Sequence, residues 1–262
     1  MPDIEIPLAP PQQSAESVVR LTVRLVVDAL GFMVITPLVL CIIAGLAALA
    51  DIVIRGFRTF LDDIGGAQNT FISLDIDTRL LVTFSAGALV YLAIAAAVLL
   101  VARLRRGPHW RDYIAWKPFR LESIYLALAA AGVIWGIAIG SVIEAWYPDS
   151  KNWVAFPHGV AGVLASLILV VALGPLCEEL LFRGWLFTAL RGRLGSIATI
   201  VTTSVLFAIA HWEKTHLYAI AVFPVGLLLG YARERSGSIR ATTTFHGIYN
   251  LSGWILAAFA GK

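Results

Sequence analysis

Continuous apolar runs, separated by short polar intervals, set the pattern of this chain. They extend from about Leu30 to Ile54, Leu80 to Ala102, Leu121 to Trp146, Ser196 to Trp212, Leu217 to Tyr231 and Ala241 to Phe259, with a longer one from Pro157 to Leu190. Roughly 20 apolar residues suffice to carry a helix across a hydrocarbon core about 30 Å thick. The runs are unbroken rather than alternating, which predicts helices and argues against a β-barrel. Gly174-Pro175 falls inside the longest run. A break or kink is expected there, because proline lacks a donor and clashes with the preceding turn. Ahead of the first run, Arg20, Arg24 and Asp28 recur every four residues among valines and leucines. That stripe reads equally as a helix lying on a membrane surface or as the start of the first span. Residues 1–13 are expected to be disordered.

Composition turns this pattern into a fold class. Of 262 residues, 59% are hydrophobic and 14% charged, against about 25% charged in ordinary soluble domains. The expected architecture is all-α, a polytopic membrane bundle of about seven or eight transmembrane helices. It divides into an N-terminal tail with its interfacial or spanning stretch (1–28) and one integral-membrane domain (29–262). The net charge of +3 does not imply nucleic-acid binding. The basic residues cluster in intervals between apolar runs, where orientation signals belong. Arg103, Arg105, Arg106, Arg111, Lys117 and Arg120 mark one such interval, Arg191 and Arg193 a second, and Arg233, Arg235 and Arg240 a third. These intervals are expected on the cytoplasmic side. The stretch with Asp62, Asp63, Asp75 and Asp77 is expected on the other. Seven crossings then put the N-terminus inside and the C-terminus outside. No cleavable signal is expected, because the N-terminus has acids and prolines in place of a basic region. Cys41 and Cys177 read as small hydrophobes in apolar segments.

Ionisable residues deep in such runs are costly and point to function. Here they are Glu178, Glu179 and Arg183 in the longest run, His211 near the end of the fifth, and His246 in the last, with Asn250 beside it. Glu179 and Arg183 are four apart and share a helical face, so they are expected to pair. Glu178 lies about 100° around the helix from Glu179. It is therefore the freer carboxylate and the better candidate base. Phe207 and His211 are also four apart, as are His246 and Asn250. Counted from the basic ends at about 1.5 Å per residue, Glu178, His211 and Asn250 fall at similar depth, with His246 shallower. Three segments can thus bring an acid, two histidines and an amide into one polar cluster inside the bundle. A carboxylate and a histidine can hold and deprotonate a water. A second histidine and an amide can donate to a developing oxyanion. Together they describe amide hydrolysis by activated water, without a covalent intermediate.

Other readings compete. An acid and histidines in a bundle can relay protons in a transporter, although no internal repeat is evident. A structural ion-pair network in a non-catalytic scaffold or immunity protein is a third. Glu213, Lys214 and His216 read as loop, and His211 with His216 lacks the HExxH spacing of a zinc site. A metal held by Glu178, His211 and His246 is a further arrangement of the same donors. The serine and aspartyl motifs of intramembrane proteases, GxSG and GxGD, are absent from the sequence.

Glu178-Glu179-x-x-x-Arg183, Phe207-x-x-x-His211 and His246-x-x-x-Asn250, in that order, resemble the CPBP family of CAAX proteases and bacteriocin-processing proteins. The resemblance covers residues 157–260 and carries all three motifs. It implies a metal-independent glutamic intramembrane endopeptidase without a cofactor, similar to type II CAAX prenyl endopeptidases. By it, Glu178 and His211 activate water, His246 and Asn250 form the oxyanion hole, and Glu179, Arg183 and Phe207 support them. The implied partners are membrane lipid and a peptide or protein substrate, lipidated in CAAX-type members. The implied place is a bacterial cytoplasmic membrane, with the site open to the cytoplasm.

Overall fold

The computed structural model describes residues 18–55, 75–146, 156–212 and 217–260. Among these, regular structure is helical throughout and no strand occurs. The first helix, α1 (Val18–Arg55), runs unbroken through Pro37. Helix α2 (Ile76–Arg106) begins on the side chain of Asp75, which accepts from the Thr78 amide and hydroxyl. A short 3₁₀ turn (Gly107–His109) and the one-turn α3 (Trp110–Tyr113) lead to α4 (Ser123–Trp146). Asp62, Asp63, His216 and residues 1–13 lie outside the described residues.

The longest run does not break at Gly174-Pro175. It winds as α5 (Val160–Leu167), a π stretch π1 (Ile168–Leu173), α6 (Gly174–Glu179), a second π stretch π2 (Leu180–Leu186) and α7 (Phe187–Ala210). Pro175 lies inside this continuous helix, with Leu173 and Gly174 both helical, so its missing donor leaves a preceding carbonyl without its usual partner. The wider turns of π1 precede it, a common accommodation inside apolar helices and at functional sites. The real interruption comes at Gly195, whose φ of 72° lies in the left-handed region that glycine tolerates. It splits α7 into two arms, matching the expected boundary between the fourth and fifth runs. Helices α8 (Leu217–Ser236) and α9 (Ile239–Ala260) complete the bundle.

Four helical stretches are long and apolar enough to cross a membrane among the described residues: Ile76–Tyr113, Ser123–Ala145, Val160–Ala210 and Leu217–Ser236. Much of their apolar surface faces outward. Only 11% of the most apolar window of Ser123–Ala145 is buried, and Ile134, Ile137, Val160, Leu164 and Ile197 are all exposed. Soluble proteins rarely show apolar surface on this scale. The chain is an integral membrane protein. Helix α9 is absent from that set although it has 22 residues, because Thr242, Thr243, Thr244, His246, Tyr249 and Asn250 interrupt it.

Helix α6 is flanked by α2 and α9, and π2 packs on α7. Helices α7 and α8 share the most extensive interface among the described elements. Gly226 and Gly230, four apart on α8, meet Ser204 and Ile200 of α7, where a Cβ would sit 3.1 and 2.9 Å from their side chains. Small residues at this spacing let membrane helices approach closely. Two buried clusters fix the basic end of the bundle. One joins Phe32, Val98, Val101, Tyr113, Ile114, Leu180 and Ile239. The other joins Tyr125, Ala129, Val225, Leu229 and Phe245.

Several basic residues expected in loops belong to helices instead. Arg233 lies within α8 and is 8% exposed. Arg191 and Arg193 lie in the first arm of α7, and Arg240 lies in α9. The helices run past their apolar cores because long side chains find partners there: Arg191 pairs with Glu234 at 2.6 Å and Arg235 with Glu122 at 2.9 Å. Asp28 turns inward and is 1% exposed. Its carboxylate accepts from Arg105 Nε at 2.9 Å, Tyr113 Oη at 2.9 Å and Trp185 Nε1 at 3.0 Å. At this position the N-terminal stripe addresses the bundle, not its surroundings.

Candidate functional site

The two adjacent glutamates of α6 point to different partners, as their 100° separation requires. Glu179 is fully buried. Its Oε1 accepts from Arg183 Nη1 at 3.0 Å and from His246 Nδ1 at 3.2 Å. Arg183, also fully buried, spends its other terminal nitrogen on the Gly226 carbonyl at 3.0 Å. Its guanidinium carbon lies 4.4 Å from the Phe207 ring centroid. Burying an unpaired charge costs several kcal/mol. Three charge-assisted hydrogen bonds and an aromatic face hold this buried pair, while Glu179 Oε2 and Arg183 Nε are buried without a hydrogen-bond partner among the described residues.

Glu178 is only partly buried, its side chain 16% exposed. Its Oε2 lies 3.8 Å from His211 Nε2 and 3.8 Å from His246 Nε2. These separations exceed direct hydrogen bonds and leave the three groups facing one small volume. Its other oxygen, Oε1, accepts a hydrogen bond from Tyr91 Oη at 3.0 Å.

Tautomers follow from the acceptors. His211 caps the end of α7, and its Nδ1 meets the Phe207 carbonyl at 2.7 Å. A carbonyl only accepts, so Nδ1 carries the proton, and Nε2 of the neutral ring offers a lone pair toward Glu178. His246 Nδ1 faces a carboxylate in the same way and donates to Glu179. Phe207 is the packing hub. Its ring meets Phe182 edge-on at 5.2 Å, His211 at 4.5 Å and His246 at 5.9 Å between centroids.

Asn250 lies one turn beyond His246 on α9, but its Nδ2 donates to the Val170 carbonyl of π1 at 2.8 Å. Glu178, His211 and His246 therefore lie together, with Glu179, Arg183 and Phe207 behind them, while Asn250 is tied to the π1 backbone. Gly247 makes this approach possible: a Cβ there would lie 2.9 Å from the Val171 carbonyl oxygen. The second π stretch is used similarly, since Arg233 Nε donates to the Arg183 carbonyl at 3.0 Å. The wide turns offset carbonyls from their usual donors, and side chains of α8 and α9 bond to two of them. Among the described residues, no group of three or more His, Cys, Asp or Glu side chains is arranged to hold a metal ion.

Two contributors went unrecognised in the sequence, Tyr91 and Arg233. For each a signal existed. Tyr91 sits in the middle of an apolar run, whereas membrane tyrosines favour the ends. Arg233 lies only two residues after Tyr231, where the apolar stretch ends.

Comparison with known proteins agrees with the motifs. Residues 160–252 match the family model described as type II CAAX prenyl endopeptidase Rce1-like, consistent with the resemblance to the CPBP family. A protein of Escherichia coli described as an uncharacterized 24.3 kDa protein is 35% identical over 94 residues, covering 33% of this chain and 42% of that protein. The chain thus matches less than half the length of that relative. No solved structure matches the chain.

Proposed function

We propose that this integral membrane protein, with its Rce1-like segment at residues 160–252, is a metal-independent intramembrane endopeptidase acting on CAAX-type or other membrane-associated peptides. The observation that carries the reading is the position of Glu178 Oε2, 3.8 Å from the Nε2 atoms of both His211 and His246. A water bridging such a gap is held by a carboxylate and by the free lone pair of His211. Its oxygen attacks the scissile carbonyl carbon as its proton passes to Glu178. The carbonyl oxygen becomes an oxyanion. His246 Nε2 and the second N–H of Asn250 are its donors. Since His246 Nδ1 already donates to Glu179, donation from Nε2 requires a ring with both protons, and Glu179 supplies its counter-charge. Collapse breaks the C–N bond, and the proton on Glu178 goes to the leaving amine.

The same reading includes seven crossings with the N-terminus inside, a bacterial cytoplasmic membrane and a site open to the cytoplasm. The basic residues at one end of α2, α7 and α8 support that orientation. The test uses purified protein in detergent and an S-farnesylated, internally quenched peptide with a C-terminal CAAX sequence. The wild type is expected to cleave it, with activity unchanged by EDTA. Glu178→Gln and His211→Ala are expected to lose about 10²–10⁴-fold, the usual worth of general acid–base catalysis. Full activity in either folded variant, or chelator inhibition reversed by zinc, refutes the assignment.

A further inference from the structure

The contact between Tyr91 and Glu178 joins residues 87 positions apart and lies outside the three motifs. Tyr91 stands on α2, in the half of the chain beyond the family match. Its hydroxyl donates to Glu178 Oε1 at 3.0 Å. Gly174, one turn before Glu178 on α6, lies beside this contact. A Cβ at Gly174 would lie 4.0 Å from both Glu178 Oε1 and Tyr91 Cζ, and 3.0 Å from the Leu169 carbonyl oxygen.

A free carboxylate on two side-chain torsions beyond Cβ can present either oxygen, in several rotamers. Here one oxygen is taken by the phenol, and the other is equidistant from the two imidazoles. Among the described residues, the hydrogen bond from Tyr91 is the one that chooses between the oxygens of Glu178. Its neighbour Glu179 is fixed by Arg183 and His246, which leaves Glu178 to be fixed by a different element.

We infer that Tyr91 is a positioning residue that pins Oε1 of Glu178 and so makes Oε2 the oxygen that faces the histidines. The inference rests on the proposed hydrolytic role of Glu178. Tyr91 holds the carboxylate and not the peptide, so its loss is felt in turnover and not in substrate affinity. A hydrogen bond to a charged group is typically worth about a 10- to 100-fold change in an equilibrium or rate.

The experiment compares Tyr91→Phe, which keeps the ring and its packing, with wild type and Glu178→Gln, on the farnesylated fluorogenic peptide. Tyr91→Phe is expected to lower kcat about 10- to 100-fold with KM within about twofold of wild type. Its melting temperature is expected to stay close to wild type, since the ring remains. Unchanged kcat overturns the inference, as does a rise in KM that accounts for the whole loss. A double-mutant cycle on melting temperature reads the contact without activity. Tyr91→Phe and Glu178→Gln are expected to be less than additive, and strict additivity also overturns it. If Glu178→Gln retains full activity, the hydrolytic reading fails and the cycle alone reports the contact. If Glu178→Gln is inactive and Tyr91→Phe cleaves like wild type, only the role of Tyr91 fails.

Discussion

Replacing Arg183 by leucine isolates the buried pair behind the candidate site. Arg183 and Glu179 are both fully buried, and the guanidinium bonds Glu179 Oε1 and the Gly226 carbonyl, each at 3.0 Å. The substitution removes that donor from Glu179 and leaves the contact with His246 Nδ1 in place. Breaking a buried ion pair from one side costs about 3–5 kcal/mol, because the surviving charge stays desolvated. Removing the cation from the Phe207 face adds about 1 kcal/mol. At about 2–4 °C per kcal/mol for a chain of this size, the melting temperature should fall by about 8 °C or more. The assay is intrinsic tryptophan fluorescence on heating in detergent. A second variant separates charge from packing. Glu179→Gln added to Arg183→Leu removes the stranded carboxylate, and neutral replacement of a whole buried pair is often tolerated. The double variant should therefore melt above Arg183→Leu alone. Wild-type stability in Arg183→Leu, or no recovery in the double variant, would refute the reasoning.

Gly247→Ala drives a methyl against the Val171 carbonyl oxygen at 2.9 Å; overpacking of this kind costs about 1–3 kcal/mol, and peptide cleavage should fall with the melting temperature as α9 moves away from π1. Asp28→Ala strips the shared acceptor of Arg105, Tyr113 and Trp185. Arg105 is 38% exposed, so the loss should be about 2 kcal/mol, below the range for a sealed pair, and thermal unfolding will read it. Asp75 gives a pH signature. Hydrogen bonds from the Thr78 hydroxyl and amide hold its carboxyl below the ordinary value. Its contribution to α2 is therefore complete above the ordinary carboxylate range and is lost as pH falls through the lowered value. The stability gap between wild type and Asp75→Asn should shrink on acidification, and a gap that widens would contradict the capping role.

The helices were legible because a lipid-facing span must be apolar along its whole length, and Leu80–Ala102 or Ser196–Trp212 admit few other readings. Pairing within one helix was legible too. Glu179 and Arg183 meet as four-residue spacing requires, and Glu178 turns elsewhere for the same reason. Of the break or kink expected at Pro175, the break does not occur, because the rule for proline treats the helix as isolated. Here π1 absorbs the misfit and Asn250 of a distant helix bonds a displaced carbonyl. Contacts between helices were beyond local spacing altogether. Nothing near Tyr91 in sequence points to Glu178, and nothing near Asp28 points to Trp185. Basic residues were legible as markers of one end of the bundle, yet Arg233 shows that such a marker can also be buried and hold a backbone carbonyl.

The polarity of α9 bears on how the protein is made. A segment interrupted by three threonines, a histidine, a tyrosine and an asparagine gains little by leaving water for lipid alone. His246 and Asn250 find their partners on elements that precede α9 in the chain, at Glu179 and Val170, while Thr242 and Thr244 bond the backbone of α9 itself. Docking of α9 thus depends on π1 and α6 already being in place. The contact between His246 and Glu179 forms only once α9 has docked, so the candidate site takes its shape from a helix that follows the others in synthesis.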